Sequence, residues 1–94
     1  MKYFDWSKEK NEWLKSERDI CFEDIVNILG NEEFLDVVDH PNKQRYSNQK
    51  MFVIVWNEYV YIVPFVEDEE KYFLKTIIPS RKATKEYLEK KGKL

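Results

Sequence analysis

The stretch Ser80-Arg81-Lys82-Ala83-Thr84-Lys85 sets three cations where the chain passes from strand to helix. Before it, Tyr72, Phe73, Leu74, Thr76, Ile77 and Ile78 favour a buried, pleated strand. Pro79 has no N–H to donate and ends the ladder. Ser80 is an N-cap residue, and Arg81 to Lys91 consists mostly of helix formers. Arg81, Lys82 and Lys85 therefore crowd first turns in which the macrodipole favours acids, at ~0.3–1 kcal/mol per exposed cation. A local rule broken without local gain points to a site. The chemistry on offer is anion binding, because free N–H groups at a helix start already favour phosphate. The plainer alternative is a solvated basic helix start with no ligand.

Other candidates lie in the loop from His40 to Asn48. His40 is the one histidine and the one side chain whose ordinary pKa lies near neutrality. It is either a titrating group or a turn residue capping a strand. Lys43, Arg45 and Tyr46 set cations beside a ring that could stack on a base, although soluble loops share this composition. Glu67-Asp68-Glu69-Glu70 reads as a solvated turn, since adjacent carboxylates in a turn are hard to preorganise for catalysis. A single Cys21 and a single His40 argue against a zinc site built from this chain, and no metal or other cofactor is expected.

These residues must be positioned by one domain, residues 1–94, a length that supports a single core. Hydrophobic residues make up 43% and aromatic residues 16%, which places the chain among globular rather than disordered sequences. No apolar run approaches the ~20 residues that span a bilayer, and the N-terminus lacks the apolar stretch of a secretory signal. With one cysteine and no disulfide to form, a cytoplasmic location is the expectation. The net charge of −2 conceals a dipole: residues 1–70 carry net −8 and residues 71–94 carry net +6. A basic end suited to a polyanion and an acidic body suited to a basic partner would give this pattern, as would two halves that neutralise each other.

Trp6-Ser7 reads as the entry to a first helix, with Ser7 as N-cap, Trp6 as staple residue and an end near Arg18. Phe22, Ile25, Val26 and Leu29 recur at helical spacing in a second helix, with Gly30 as its C′ residue. Phe34 to Val38 is a short strand. Lys50 to Trp56 and Tyr59 to Val66 are strands apolar on both faces, hence central, joined by a tight turn at Asn57-Glu58. Pro64 implies a bulge or a free ladder position. The expected fold is α+β, in the order α-α-β-β-β-β-α: an antiparallel four-stranded sheet over residues 34–78, packed by helices.

Three motifs in this order resemble the BrnT family of RelE-like ribonuclease toxins from bacterial type II toxin–antitoxin pairs. Ile77-Ile78-Pro79-Ser80-Arg81-Lys82-Ala83-Thr84 is similar to the family's closing I-I-S-A-R-K-A-T. Phe4-Asp5-Trp6-Ser7-Lys8-Glu9-Lys10-Asn11 is similar to its opening F-x-W-D-x-x-K-x-x-x-N, with a shorter spacing to the Asn. Ile20-Cys21-Phe22-Glu23-Asp24 resembles its V-S-F-E-E. Where the family has Lys-His before that stretch, this chain has Glu17-Arg18-Asp19. Where it has G-E-E-R at the second strand, this chain has Asn48-Gln49-Lys50.

The resemblance implies a RelE-like fold and metal-independent cleavage of mRNA, in which the ribose 2′-OH attacks the neighbouring phosphate. Such a reaction needs a base, cations for the pentacovalent phosphate and a proton donor for the leaving oxygen. Arg81 would clamp the phosphate with its planar fork. Lys50, His40 and Arg18 complete the candidate catalytic set, and Lys82, Lys85, Arg45, Tyr46 and Gln49 the RNA-binding set. The implied partner is a cognate antitoxin, commonly a ribbon-helix-helix DNA-binding protein, with RNA as substrate and no membrane role. The alternative is a non-catalytic RNA- or partner-binding module of the same fold.

Overall fold

The computed structural model describes residues 2–39, 41, 42, 44, 45 and 49–89. The elements are β1 (Tyr3–Trp6), α1 (Lys8–Arg18), α2 (Phe22–Gly30), β2 (Asp36–Asp39), β3 (Gln49–Trp56), β4 (Tyr59–Glu67), β5 (Lys71–Leu74), β6 (Ile78–Pro79) and α3 (Arg81–Thr84). A π-helical turn, Lys85–Glu89, continues α3. The class is α+β, and the sheet is mostly antiparallel. Its order is β1-β5-β4-β3-β2, with β6 also paired to β4.

Strands β3 and β4 are central, as their two-sided apolar pattern requires. Phe52, Ile54, Val63 and Phe65 pack beneath α1 and α2, against Leu14, Ile20, Phe22, Ile25 and Leu29. On the opposite face Val53 and Val60 pack under Ala83, with Ile62, Tyr87 and Leu88 around them. The hairpin between β3 and β4 closes through Asn57 and Glu58, both at positive φ (55° and 63°), the geometry that matches the twist of the paired strands. Ser7 caps α1 by accepting from the Lys10 N–H at 3.2 Å. Asp19, at φ 54°, ends α1 in the left-handed region. Among the described residues, no helix is long and apolar enough to cross a membrane.

Several expectations need correction. Among the described residues the sheet has six strands, and one pair is parallel: β1 lies beside β5 with Phe4 against Tyr72 and Trp6 against Leu74. Trp6, expected as a helix staple, is instead the last residue of this strand, whose partner lies near the far end of the chain.

The last strand is broken. β5 pairs with β4 through Phe65↔Leu74, but β6 pairs through Ile62↔Ile78, so Lys75, Thr76 and Ile77 face Val63 and Pro64. That is one residue too many, a bulge opposite the proline that has no N–H to offer. The Pro64 carbonyl is still used, accepting from the Lys75 N–H at 2.8 Å. The register with β3 runs through Pro64 uninterrupted.

The third helix starts at Arg81 as expected but is α-helical for one turn only and continues as the π turn to Glu89; residues 90–94, which include the expected end at Lys91, lie outside the described set. Finally, Gly30 is the last residue of α2 rather than its C′ residue, and Asn31 caps the helix through N–H bonds to the Asn27 and Leu29 carbonyls. The first expected strand begins at Asp36, two residues later than Phe34.

Candidate functional site

The basic stretch after β6 divides into residues that anchor and residues that are displayed. The Ser80 N–H donates to the Val60 carbonyl at 3.0 Å, extending the β6–β4 ladder by one bond. The Ser80 hydroxyl accepts from the Ala83 N–H at 3.1 Å, the expected N-cap. The Thr84 hydroxyl accepts from the Val60 N–H at 2.9 Å and donates to the Ser80 carbonyl at 2.7 Å. It thus takes the β4 donor that β6, ending at Pro79, no longer reaches. Ala83 and Thr84 are buried, whereas Arg81, Lys82 and Lys85 are exposed. No hydrogen bond or ion pair within the described structure engages the side chains of those three cations. One α turn gives little dipole, and its cap already occupies the Ala83 N–H, so an anion here would be held by side-chain charge.

Arg18 approaches the same segment from α1. Its guanidinium donates to the Ile77 carbonyl at 2.5 Å and lies 5.0 Å from the centre of the Trp13 ring, on which Lys10 also sits at 4.6 Å. This role was not visible in the sequence. Arg18 ties the end of α1 to the bulge that precedes Arg81.

Lys50 is elsewhere. It faces the α2 side of the sheet, opposite Phe65 in register, whereas α3 lies on the other face beside Val60. Val60 and Phe65 are five positions apart on β4, about 16 Å at the rise of a strand. Lys50 and Arg81 therefore do not converge on one phosphate. Gln49 is half-buried, opposite Val66, on the face away from Lys50. Arg45 is exposed in a turn whose backbone N–H donates to the Asn42 Oδ1 at 3.2 Å. His40 and Tyr46 lie outside the described residues, as does Lys43.

The acidic turn is bonded within itself and to the start of the chain. Asp68 Oδ1 accepts from the Glu70 and Lys71 N–H groups at 2.8 Å each, which lowers its pKa below the ordinary carboxylate value. Glu67 forms an ion pair with Lys2. At the junction of the helices, Asn11 is buried and bridges α1 to α2, accepting from the Phe22 N–H at 2.7 Å and donating to Glu23 at 2.8 Å. That donation holds the Glu23 carboxyl below its ordinary pKa.

Sequence reasoning missed two hollows, because each draws its lining from distant segments. One, of about 330 Å³, opens on the α2 face and is walled by Phe4, Phe34, Phe52, Phe65 and Tyr72, with the exposed Glu32, Lys50 and Glu67 among its polar lining. Its rings pack closely, with Phe52 and Phe65 stacked at 4.2 Å and Phe34 tilted onto Phe52 at 5.6 Å. The other, of about 350 Å³, lies on the opposite face between β2 and α3, lined by Val38, Met51, Pro41 and Tyr87 with Lys82 and Glu86. Among the described residues no cluster of His, Cys, Asp or Glu could hold a metal ion.

No family model matches the sequence, and neither a curated protein nor a solved structure matches the chain.

Proposed function

We propose that this chain is the toxin of a type II toxin–antitoxin pair, an endoribonuclease whose phosphate-binding group is Arg81 with Lys82 and Lys85. The reading rests on the similarity of Ile77 to Thr84 to the closing BrnT motif. The observation that carries it is the division of labour within that motif. Ser80, Ala83 and Thr84 fix the turn to β4, and Arg81 and Lys82 are exposed beside them with no counter-ion among the described residues. A rigid mount bearing unneutralised cations is the preorganised electrostatics that a developing phosphorane charge requires.

A second reading has its own support. Lys50 stands on the other face of the sheet from Arg81, so the charged groups expected of one cleavage site are not assembled among the described residues. That arrangement favours RNA binding without cleavage, through the α3 cations alone.

Expression of the chain in a bacterium, paired with cleavage and binding assays on the purified protein, tests both. Growth arrest and RNA cleavage that are lost in Arg81→Ala, by ~10²–10³ in rate, with the melting temperature unchanged, support the toxin. Arg81→Lys should also be impaired, because a point charge does not replace a bidentate fork. Salt-dependent RNA binding without cleavage selects the second reading. An Arg81→Ala protein that is fully active sinks the clamp.

A further inference from the structure

The aromatic hollow on the α2 face has the build of a small-molecule site. Its floor crosses one end of the sheet: Phe4, Tyr72, Phe65 and Phe52 come from the adjacent strands β1, β5, β4 and β3, and Val37 of β2 closes the row. Helix α2 ends at Gly30, with Leu29 in the wall. Its volume of about 330 Å³ falls at the small end of the range for such sites. Phe4 and Tyr72 stack at 5.3 Å, and Phe65 meets Tyr72 edge-on at 5.7 Å. An aromatic ring is the body that these walls favour, since ring pairs gain beyond the area they bury.

Charge at the mouth narrows the ligand further. Glu67 is neutralised by Lys2, whose ammonium also lies 5.4 Å from the centre of the Tyr72 ring. Glu32 and Lys50 are different. Both line the hollow and are exposed, and no hydrogen bond or ion pair with a described residue engages either side chain. They do not pair with each other, and Asp39, opposite Lys50 in register, forms no ion pair with it. Glu32 also holds a left-handed backbone, φ 56°, just beyond α2, where glycine is the residue that avoids crowding. What a glutamate adds there is a carboxylate at the mouth. A purely anionic ligand would meet Lys50 and be opposed by Glu32, and a purely cationic one would meet the reverse. A ligand that carries both charges satisfies both groups.

We propose that this hollow binds a free α-amino acid with an aromatic side chain. The ring enters between Phe4, Phe34 and Phe65, the carboxylate meets Lys50 and the ammonium meets Glu32. The site lies on the face of the sheet away from α3 and stands whether or not the chain cleaves RNA.

The probe is L-phenylalanine, titrated into the full chain by calorimetry. Hydrocinnamate lacks its ammonium, phenethylamine its carboxylate, N-acetyl-L-phenylalaninamide both charges and L-alanine its ring. Each of the four should bind at least about tenfold more weakly than L-phenylalanine. Lys50→Gln should weaken L-phenylalanine at least about tenfold without weakening phenethylamine, and Glu32→Gln should do so without weakening hydrocinnamate. Absence of L-phenylalanine binding at about 1 mM overturns the proposal. Hydrocinnamate or phenethylamine binding as tightly as L-phenylalanine does the same, because only one charge is then read. Equal binding of N-acetyl-L-phenylalaninamide would identify a side chain of a partner protein as the occupant and overturn it too. These results are read on the unaltered protein and are independent of how the variants fold. L-Phenylalanine bound unchanged by both variants would place it elsewhere, which also refutes the site.

Discussion

Thr84→Val is the most informative single perturbation of the candidate site, because it keeps the shape of the side chain and removes only its hydroxyl. In the native protein that hydroxyl receives the Val60 N–H at 2.9 Å, at a residue with 0% of its surface exposed. Without it, the Val60 N–H is left in the core with no partner, because β6 has already ended. The Ser80 carbonyl fares better, since it still accepts from the Thr84 N–H at 3.0 Å. The loss is therefore that of one buried, unsatisfied donor, about 1–3 kcal/mol. For a domain of this size each kcal/mol moves the melting temperature by about 4–8 °C, so a fall on the order of 10 °C is expected. Thr84→Ser, which keeps the hydroxyl and loses a methyl group, should cost only about 1 kcal/mol. Thermal and denaturant unfolding of the three proteins, with amide exchange at Val60, measures this. If Thr84→Val melts with the unaltered protein, or if Thr84→Ser is the worse of the two, the account of how the motif is anchored fails. The contrast with Arg81→Ala, which should change the melt little, would then lose its meaning.

Further outcomes follow from other contacts. Asn11→Leu should destabilise the chain by about 2 kcal/mol or more, since it orphans the buried Phe22 N–H and cannot donate to Glu23; urea unfolding reads this directly. The Glu23 carboxyl has its pKa lowered from 4.5, first by the Asn11 hydrogen bond. Its contribution is thus complete above pH 4.5 and lost as the pH falls through the lower folded value, and Asn11→Ala should flatten that part of a stability-versus-pH curve. Glu58→Gly should stabilise by about 1 kcal/mol, because Glu58 sits at φ 63°, where only glycine avoids the Cβ–carbonyl crowding; an unchanged or lower denaturation midpoint would contradict this. Arg18→Ala should lower stability and speed exchange in the bulge at residues 75–77, since Arg18 holds the Ile77 carbonyl. Activity lost with no change in stability would instead make Arg18 part of the working site.

What the sequence by itself determined were the elements whose signals are local. Continuous apolar runs, apolar on both faces, marked β3 and β4 as central, Ser7 and Ser80 marked two helix starts, and Asn57-Glu58 marked the hairpin, because each depends on neighbours within a few positions. Pro64 announced a defect in the ladder, since the missing N–H is a covalent fact. The exposed cations of α3 were equally legible.

Tertiary structure decided the rest. The parallel pairing of β1 with β5 joins residues almost seventy positions apart, and four residues carry too little pattern to announce such a partner. The side of the sheet on which Lys50 and Arg81 each stand followed from the register and from the path of α3 over β4, so a charge set that looked continuous on paper is divided between two faces. Thr84 looked like an ordinary helix residue, and it acquires its task only because β6 stops where Val60 still needs an acceptor. The hollows beside β2 exist only where Phe4, Phe34, Phe52 and Tyr72 on one face, and Val38 and Tyr87 on the other, are brought together by strands remote in the chain. A residue's type fixes which bonds it can make. Which partners are within reach is a property of the packed sheet.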